Sequence, residues 1–298
     1  MSDLADRLEE FLRAPLAAAF FVVAGFDGLD ADDLADPATA STVAATAVGE
    51  LEPWTGEAAR VRARAVEAVQ DLRPLVRRVL GDERNAWWDA PLRREAQLHL
   101  RGRDDRAPDP LAVPVPRGPL SAWETYAQRG EHALITSTEL PVPLDAPVRS
   151  GAHAVLAHGA GDWQPGYPVR QQRLRVAEHA RVAEVHAPGD WHALVARCGD
   201  PATHPGSDPH LADSGEVDNG PAPTWSALAA DLDGVHLSFA GLLSSLHVPV
   251  TSAEVGTTSL WSWEHEGTHW VRSVFTGVSE LAALGQPPEV AEHASPRW

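Results

Sequence analysis

The apolar residues of this 298-residue chain keep one spacing before residues 102–118 and another after them, and that change limits the fold more than any single motif. From Gly56 to Leu80 the series Ala58, Val61, Ala65, Val69, Leu72, Val76 and Leu80 steps by three or four residues, the repeat that lays one apolar stripe along a helix. Pro74 lies inside the series and predicts a kink or a split, because proline lacks the N–H that an inner helical position donates. Leu4, Leu8, Phe11 and Leu12 make a shorter stripe over 2–14, and a further helix is expected over 38–50. The apolar run from Pro15 to Phe26 falls short of the roughly 20 residues that span a bilayer, so it reads as a buried helix or strand. Asp27, Asp30, Asp32, Asp33 and Asp36 around Gly28 read as a turn-rich, solvated link.

Residues 102–118 carry Pro108, Pro110, Pro114 and Pro116 and no apolar period, the texture of a linker. Beyond them, short runs at 132–140, 151–158, 172–186, 235–243 and 246–252 are rich in Val, Leu and Thr and bounded by Gly, Pro and Asp, as strands are. Helices are expected from Pro188, where Trp191, Leu194, Val195 and Cys198 form one stripe, and over 224–232. Residues 200–223 read as a long loop, either disordered or a lid. The expected fold is α+β: a mainly helical region over 1–107, a Pro-rich connection over 108–118, a mixed, mostly antiparallel sheet domain with packed helices over 119–284, and a tail over 285–298.

Charge narrows the function. All 24 basic residues are arginine and Ile135 is the only isoleucine, as the codon usage of a GC-rich bacterial genome produces. The net charge of −18 disfavours general nucleic-acid binding and suits a basic protein partner. A single cysteine, Cys198, cannot form an internal disulfide, and the start MSDLADRLEE has no basic leader segment, so a cytoplasmic protein with no membrane span is expected. Against the acidic background, twelve arginines fall between Arg60 and Arg106 beside eight carboxylates. Arg60, Arg64, Trp87, Trp88, Arg93 and Arg94 are candidates for a small anionic ligand, since guanidinium forks match paired oxygens and indoles stack on rings. The competing expectation is that these arginines pair with the acidic first fifty residues and that the tryptophans pack beneath arginine stems.

One short motif carries metal chemistry. His265-Glu266-Gly267-Thr268-His269 is an HExxH sequence, which on a helix puts two imidazoles on one face for zinc with the glutamate as base. Glu289 stands where glutamate-type zincins keep a third ligand, and that resemblance implies a zinc-dependent hydrolase. The longer zincin pattern breaks at Arg272 and Phe275. Trp261 to Trp263 and Trp270 to Phe275 alternate with period two on either side of Glu264–Gly267, which favours a hairpin with Gly267 in a left-handed turn. Residues 154–161, AVLAHGAG, resemble the oxyanion loop of α/β-hydrolases, but no GxSxG elbow accompanies them, so a strand and turn are expected.

A third pattern joins distant segments. Arg101 at the end of a strand, Thr136-Ser137-Thr138 and Glu264-x-Glu266 run in the order of the R-S-E signature of ADP-ribosyltransferases. The resemblance covers only these segments, and TST stands where STS is usual. It implies that Arg101 and Ser137 position NAD and that Glu266 aids transfer from the ribose. The first functional expectation is a binding or interaction protein with an acidic surface and no cofactor. Zinc hydrolysis and NAD-dependent ADP-ribosyl transfer are the enzyme alternatives.

Overall fold

Around one wholly apolar helix the N-terminal region assembles. The computed structural model describes residues 4–51, 58–102, 110–112, 134–140, 153, 167–199, 221–260 and 263–285. After α1 (Leu4–Arg13), α2 (Pro15–Phe26) starts with proline at a position that needs no N–H, and eight of its twelve residues are buried. A helix apolar all round has no solvent face and belongs in a core. Ala17, Ala18, Ala19 and Ala24 keep its surface small, so α3 (Pro37–Glu50) and α4 (Ala58–Ala68) pack closely on it. Asp36 caps α3 by accepting from the Thr39 N–H at 2.9 Å. Pro74 has the expected effect: α4 tightens into a 3₁₀ turn at Val69–Leu72, and α5 (Arg73–Leu80) starts afresh.

The rest is built on a seven-stranded sheet. Its strands are β1 (Gln97–Arg101), β2 (Leu134–Thr138), β3 (Val169–Val176), β4 (Val182–Val185), β5 (Gly234–Leu237), β8 (Gly267–Trp270) and β9 (Phe275–Leu284), in the order β4-β5-β8-β2-β1-β3-β9. Only the β4–β5 pair is parallel among the described residues. A separate hairpin joins β6 (Val250–Ser252) to β7 (Gly256–Thr258). Helices α6 (Pro188–Cys198), α7 (Trp225–Asp231) and α8 (Phe239–Ser245) follow in the described residues. The architecture is α+β, a helical N-terminal region followed by a mostly antiparallel sheet. No helix among the described residues is long and apolar enough to cross a membrane.

The two textures share a core. One cluster of buried side chains joins Leu8, Phe20 and Trp88 from the helical region to Val185, Trp191, Val235, Leu237 and Phe239. Trp88 is fully buried, with Phe20 and Phe239 ring centroids 5.8 and 5.0 Å away. A second cluster, with Leu134, Leu174 and Trp270, covers the opposite face of the sheet.

Three local expectations need correction. The described residues of 257–275 form neither the hairpin nor the zinc-binding helix. β8 begins at Gly267 and pairs with β2 and β5, while β7 pairs with β6. Its period of two is that of a central strand buried on both faces, a pattern that says nothing about which segment pairs with it. Gly267 is also not a left-handed turn residue. It is needed because a Cβ there would lie 2.8 Å from the Thr136 carbonyl oxygen. Finally, the strand expected over 235–243 stops at Leu237, because Ser238 caps α8 by accepting from the Gly241 N–H at 3.0 Å. The run 151–158 and the motif at 154–161, His153 apart, the loop 200–220, most of the Pro-rich connection, and Glu289 with the tail lie outside the described residues.

Candidate functional site

Strand register places polar residues of four strands in one row. Glu184 on β4 lies opposite His236 on β5, His236 opposite Thr268 on β8, and Thr268 opposite Thr136 on β2. Side chains along a strand alternate between faces, so the row shares its face with Trp270 and Leu134, while Val185, Val235 and Leu237 face the helices. Gln97 on β1 completes it. Its Oε1 accepts from the Thr136 hydroxyl at 2.6 Å and from the Thr268 hydroxyl at 3.3 Å, and its Nε2 donates to the Arg93 carbonyl at 3.2 Å. The Trp270 indole N–H donates to Thr136 Oγ1 at 2.9 Å, and His236 Nδ1 lies 3.0 Å from Thr268 Oγ1.

Glu266 stands at the head of β8, where the row meets the C-terminal end of β2. Its side chain is 7 % exposed. Both carboxylate oxygens accept from the Thr138 N–H, at 3.1 and 3.2 Å, and its backbone carbonyl accepts from the Ser137 hydroxyl at 3.0 Å. Burial pushes the Glu266 carboxyl up to about 7, opposed by the bonds from Thr138 and reinforced by the nearby Glu184 carboxylate. His236 Nδ1 lies 4.0 Å from Glu266 Oε1, and burial holds that imidazole down to about 3, so it is neutral and offers no counter-charge. A buried carboxylate without a cationic partner costs stability, and such groups concentrate where proton transfer is needed.

The R-S-E segments occupy adjacent strands: Arg101 on β1, Ser137 on β2, and Glu264 and Glu266 before β8. Ser137 and Glu266 touch, but Arg101 does not join them. Gln97 pairs with Thr138 at the Glu266 end, and Arg101 lies four residues further along, about 13 Å by strand rise. Strand alternation still puts Arg101 on the same face as Gln97.

The zinc set does not assemble in the described residues. His269 lies within a strand and His265 precedes it, so no helical turn brings them together, and no group of three His, Cys, Asp or Glu side chains gathers for a metal there. His269 instead stacks on Trp263, with centroids 4.0 Å apart, and faces Trp225 at 6.3 Å. Burial lowers His265 to about 4 and His269 to about 3.

The aromatic-basic candidates scatter too. Trp88 and Trp87 pack on Phe239 in the helical core, and Arg60 and Arg64 are exposed on α4. Arg93 donates to the Glu139 carbonyl, and Arg94 to those of Ala177 and Ala180. The expected pairing with the acidic first fifty residues does occur: Arg73 meets Glu9 at 2.5 Å, and Arg84 bridges Asp32 and Asp82.

Sequence reasoning passed over Gln97, Glu184, His236 and Thr268. The available signal was a polar residue inside an apolar strand run, as His236 is in Gly-Val-His-Leu. Comparison with protein-family models, curated proteins and solved structures finds no match to this chain.

Proposed function

We propose that the chain is an NAD-dependent ADP-ribosyltransferase-like enzyme in which Glu266 is the proton-handling carboxylate. The observation that supports this reading best is the junction of β2 and β8. It brings the Ser137 hydroxyl onto the backbone carbonyl of Glu266, 129 residues away, and leaves the carboxylate buried with no counter-charge among the described residues. Arg101, on the next strand and on the Gln97 face of the sheet, opposite to that of Ser137, would bind an NAD phosphate through its guanidinium fork. NAD supplies a ribose carbon whose bond to nicotinamide breaks, and Glu266, titrating near neutral pH, suits a group that must accept a proton there.

The test is release of free nicotinamide from NAD by the purified chain. Glu266→Gln should abolish it, Ser137→Ala should reduce it by disturbing the junction, and Arg101→Ala should raise KM more than it lowers kcat. NAD left intact by the wild-type chain would remove the reading. A binding protein with an acidic surface, at net charge −18, would then be the better account.

A further inference from the structure

We infer that His236, Glu184 and His186 form a proton path joining Glu266 to the surface at the β4 edge of the sheet. The inference rests on the proposed role of Glu266. The register of β4, β5 and β8 sets Glu184, His236 and Thr268 in one row, with Glu266 two residues before Thr268. Glu266 Oε1 lies 4.0 Å from His236 Nδ1, His236 Nε2 lies 3.8 Å from Glu184 Oε2, and that oxygen lies 3.9 Å from His186 Nε2. Each gap is a little longer than a hydrogen bond, so a modest side-chain rotation or one water closes it. Side-chain exposure is 7 % at Glu266 and 1 % at His236, and beyond the histidine it rises to 30 % at Glu184 and 33 % at His186.

The path is open at Glu184, whereas at His236 the ring must exchange its Nδ1 contact with the Thr268 hydroxyl for Glu266. The Leu92 N–H holds Glu184 Oε1 at 3.2 Å, while the buried Glu184 Oε2, which faces both histidines, has no hydrogen-bond partner among the described residues. His186 Nδ1 is likewise buried and unpartnered. The groups around His236 are Glu184 and His186 from the β4 side, Glu266 and Thr268 from β8, and the Ala90 carbonyl. Arg94 acts on Glu184. An imidazole with a carboxylate on each side can take a proton at one nitrogen and release one at the other.

The chemistry needs such a path. An acceptor with an O–H or N–H bonds to the ribose carbon as the carbon–nitrogen bond breaks, and that electron pair leaves with neutral nicotinamide. The acceptor proton goes to Glu266. With both oxygens held by Thr138 inside the sheet, Glu266 passes it to His236, then to Glu184, His186 and water.

Two measurements test the path. In the first, Glu184→Gln, which keeps an acceptor for Leu92, should slow nicotinamide release at least roughly tenfold, less than the loss of the proton-handling group itself. His186→Ala should be slowed and then restored by added imidazole. Unchanged rates, or no recovery with imidazole, would overturn the path. The second needs no activity: carbon-13 spectra of the glutamate carboxyls follow the Glu266 titration in wild type and in Glu184→Gln. Removing the facing carboxylate should move the Glu266 midpoint down, and an unmoved midpoint would overturn the path. A wild-type chain that leaves NAD intact while the midpoints remain coupled would remove the transfer reading alone.

Discussion

The two faces of the central sheet are built on opposite principles. Toward the helices, Val185, Val235 and Leu237 merge with α2, Trp88 and Phe239 in a largely apolar core, against which His269 stacks through Trp263 and Trp225. On the other face, beside the small cluster around Trp270, the row from Glu184 to Gln97 buries a carboxylate, a neutral histidine, two threonines and an amide. The first arrangement is what stability alone selects. The second holds groups that water would solvate better, and it is tolerated because most of its atoms bond to one another. Glu266 is the exception, because no cation among the described residues neutralises its charge.

Acid should have the largest effect, and it acts on both faces, through His236 on one and His269 on the other. His236, His265 and His269 are held neutral well below the ordinary histidine range, whereas the unfolded chain takes up protons near 6.5. The unfolded state therefore binds more protons, and stability falls as pH drops below about 6.5. Glu266 acts in the opposite sense. Its folded value of about 7 lies above the unfolded 4.5, so its contribution falls as pH rises between those values. These three histidines together with His247, likewise lowered by burial, outweigh Glu266 and the raised carboxyls of Glu10 and Glu184, and thermal melts should show greatest stability near neutral pH, with steep loss toward pH 4. A melting temperature that rises on acidification from pH 7 would contradict this.

Phe20→Ala, in the apolar core, should cost about 3–5 kcal/mol by chemical denaturation and leave Glu266's titration unchanged. Glu266→Gln should do the reverse. At pH 8 it should stabilise the chain by up to roughly 3 kcal/mol, the worth of a shift from 4.5 to about 7, and the gain should vanish by pH 4. A destabilised Glu266→Gln at pH 8 would mean that the carboxylate is a structural bond acceptor after all. The smallest effect belongs to the surface of the helical region: Asp36→Ala, which removes the cap of α3, should cost about 1 kcal/mol at neutral pH.

The same contrast explains what could be read from sequence. Helices were legible where a long stripe meets a distinct boundary, as with the split at Pro74 and the run from Pro188 through Trp191, Leu194, Val195 and Cys198. Strand character was legible at 134–138 and 267–270, but partners were not, because alternation fixes a face and not a neighbour. The zinc pattern does not gather its ligands among the described residues, while Ser137 and Glu266 meet through the Glu266 backbone carbonyl. His236 and Gln97 carry no motif, and their importance arises only from register.

The titration of the Glu266 carboxyl tests the central claim most directly. Carbon-13 spectra of selectively labelled protein, with the resonance assigned through Glu266→Gln, should show a midpoint near pH 7 in the folded chain. A midpoint near 4.5, the value of a solvated glutamate, would mean that this carboxylate is neither desolvated nor poised for proton transfer, and the site would lose its chemical rationale.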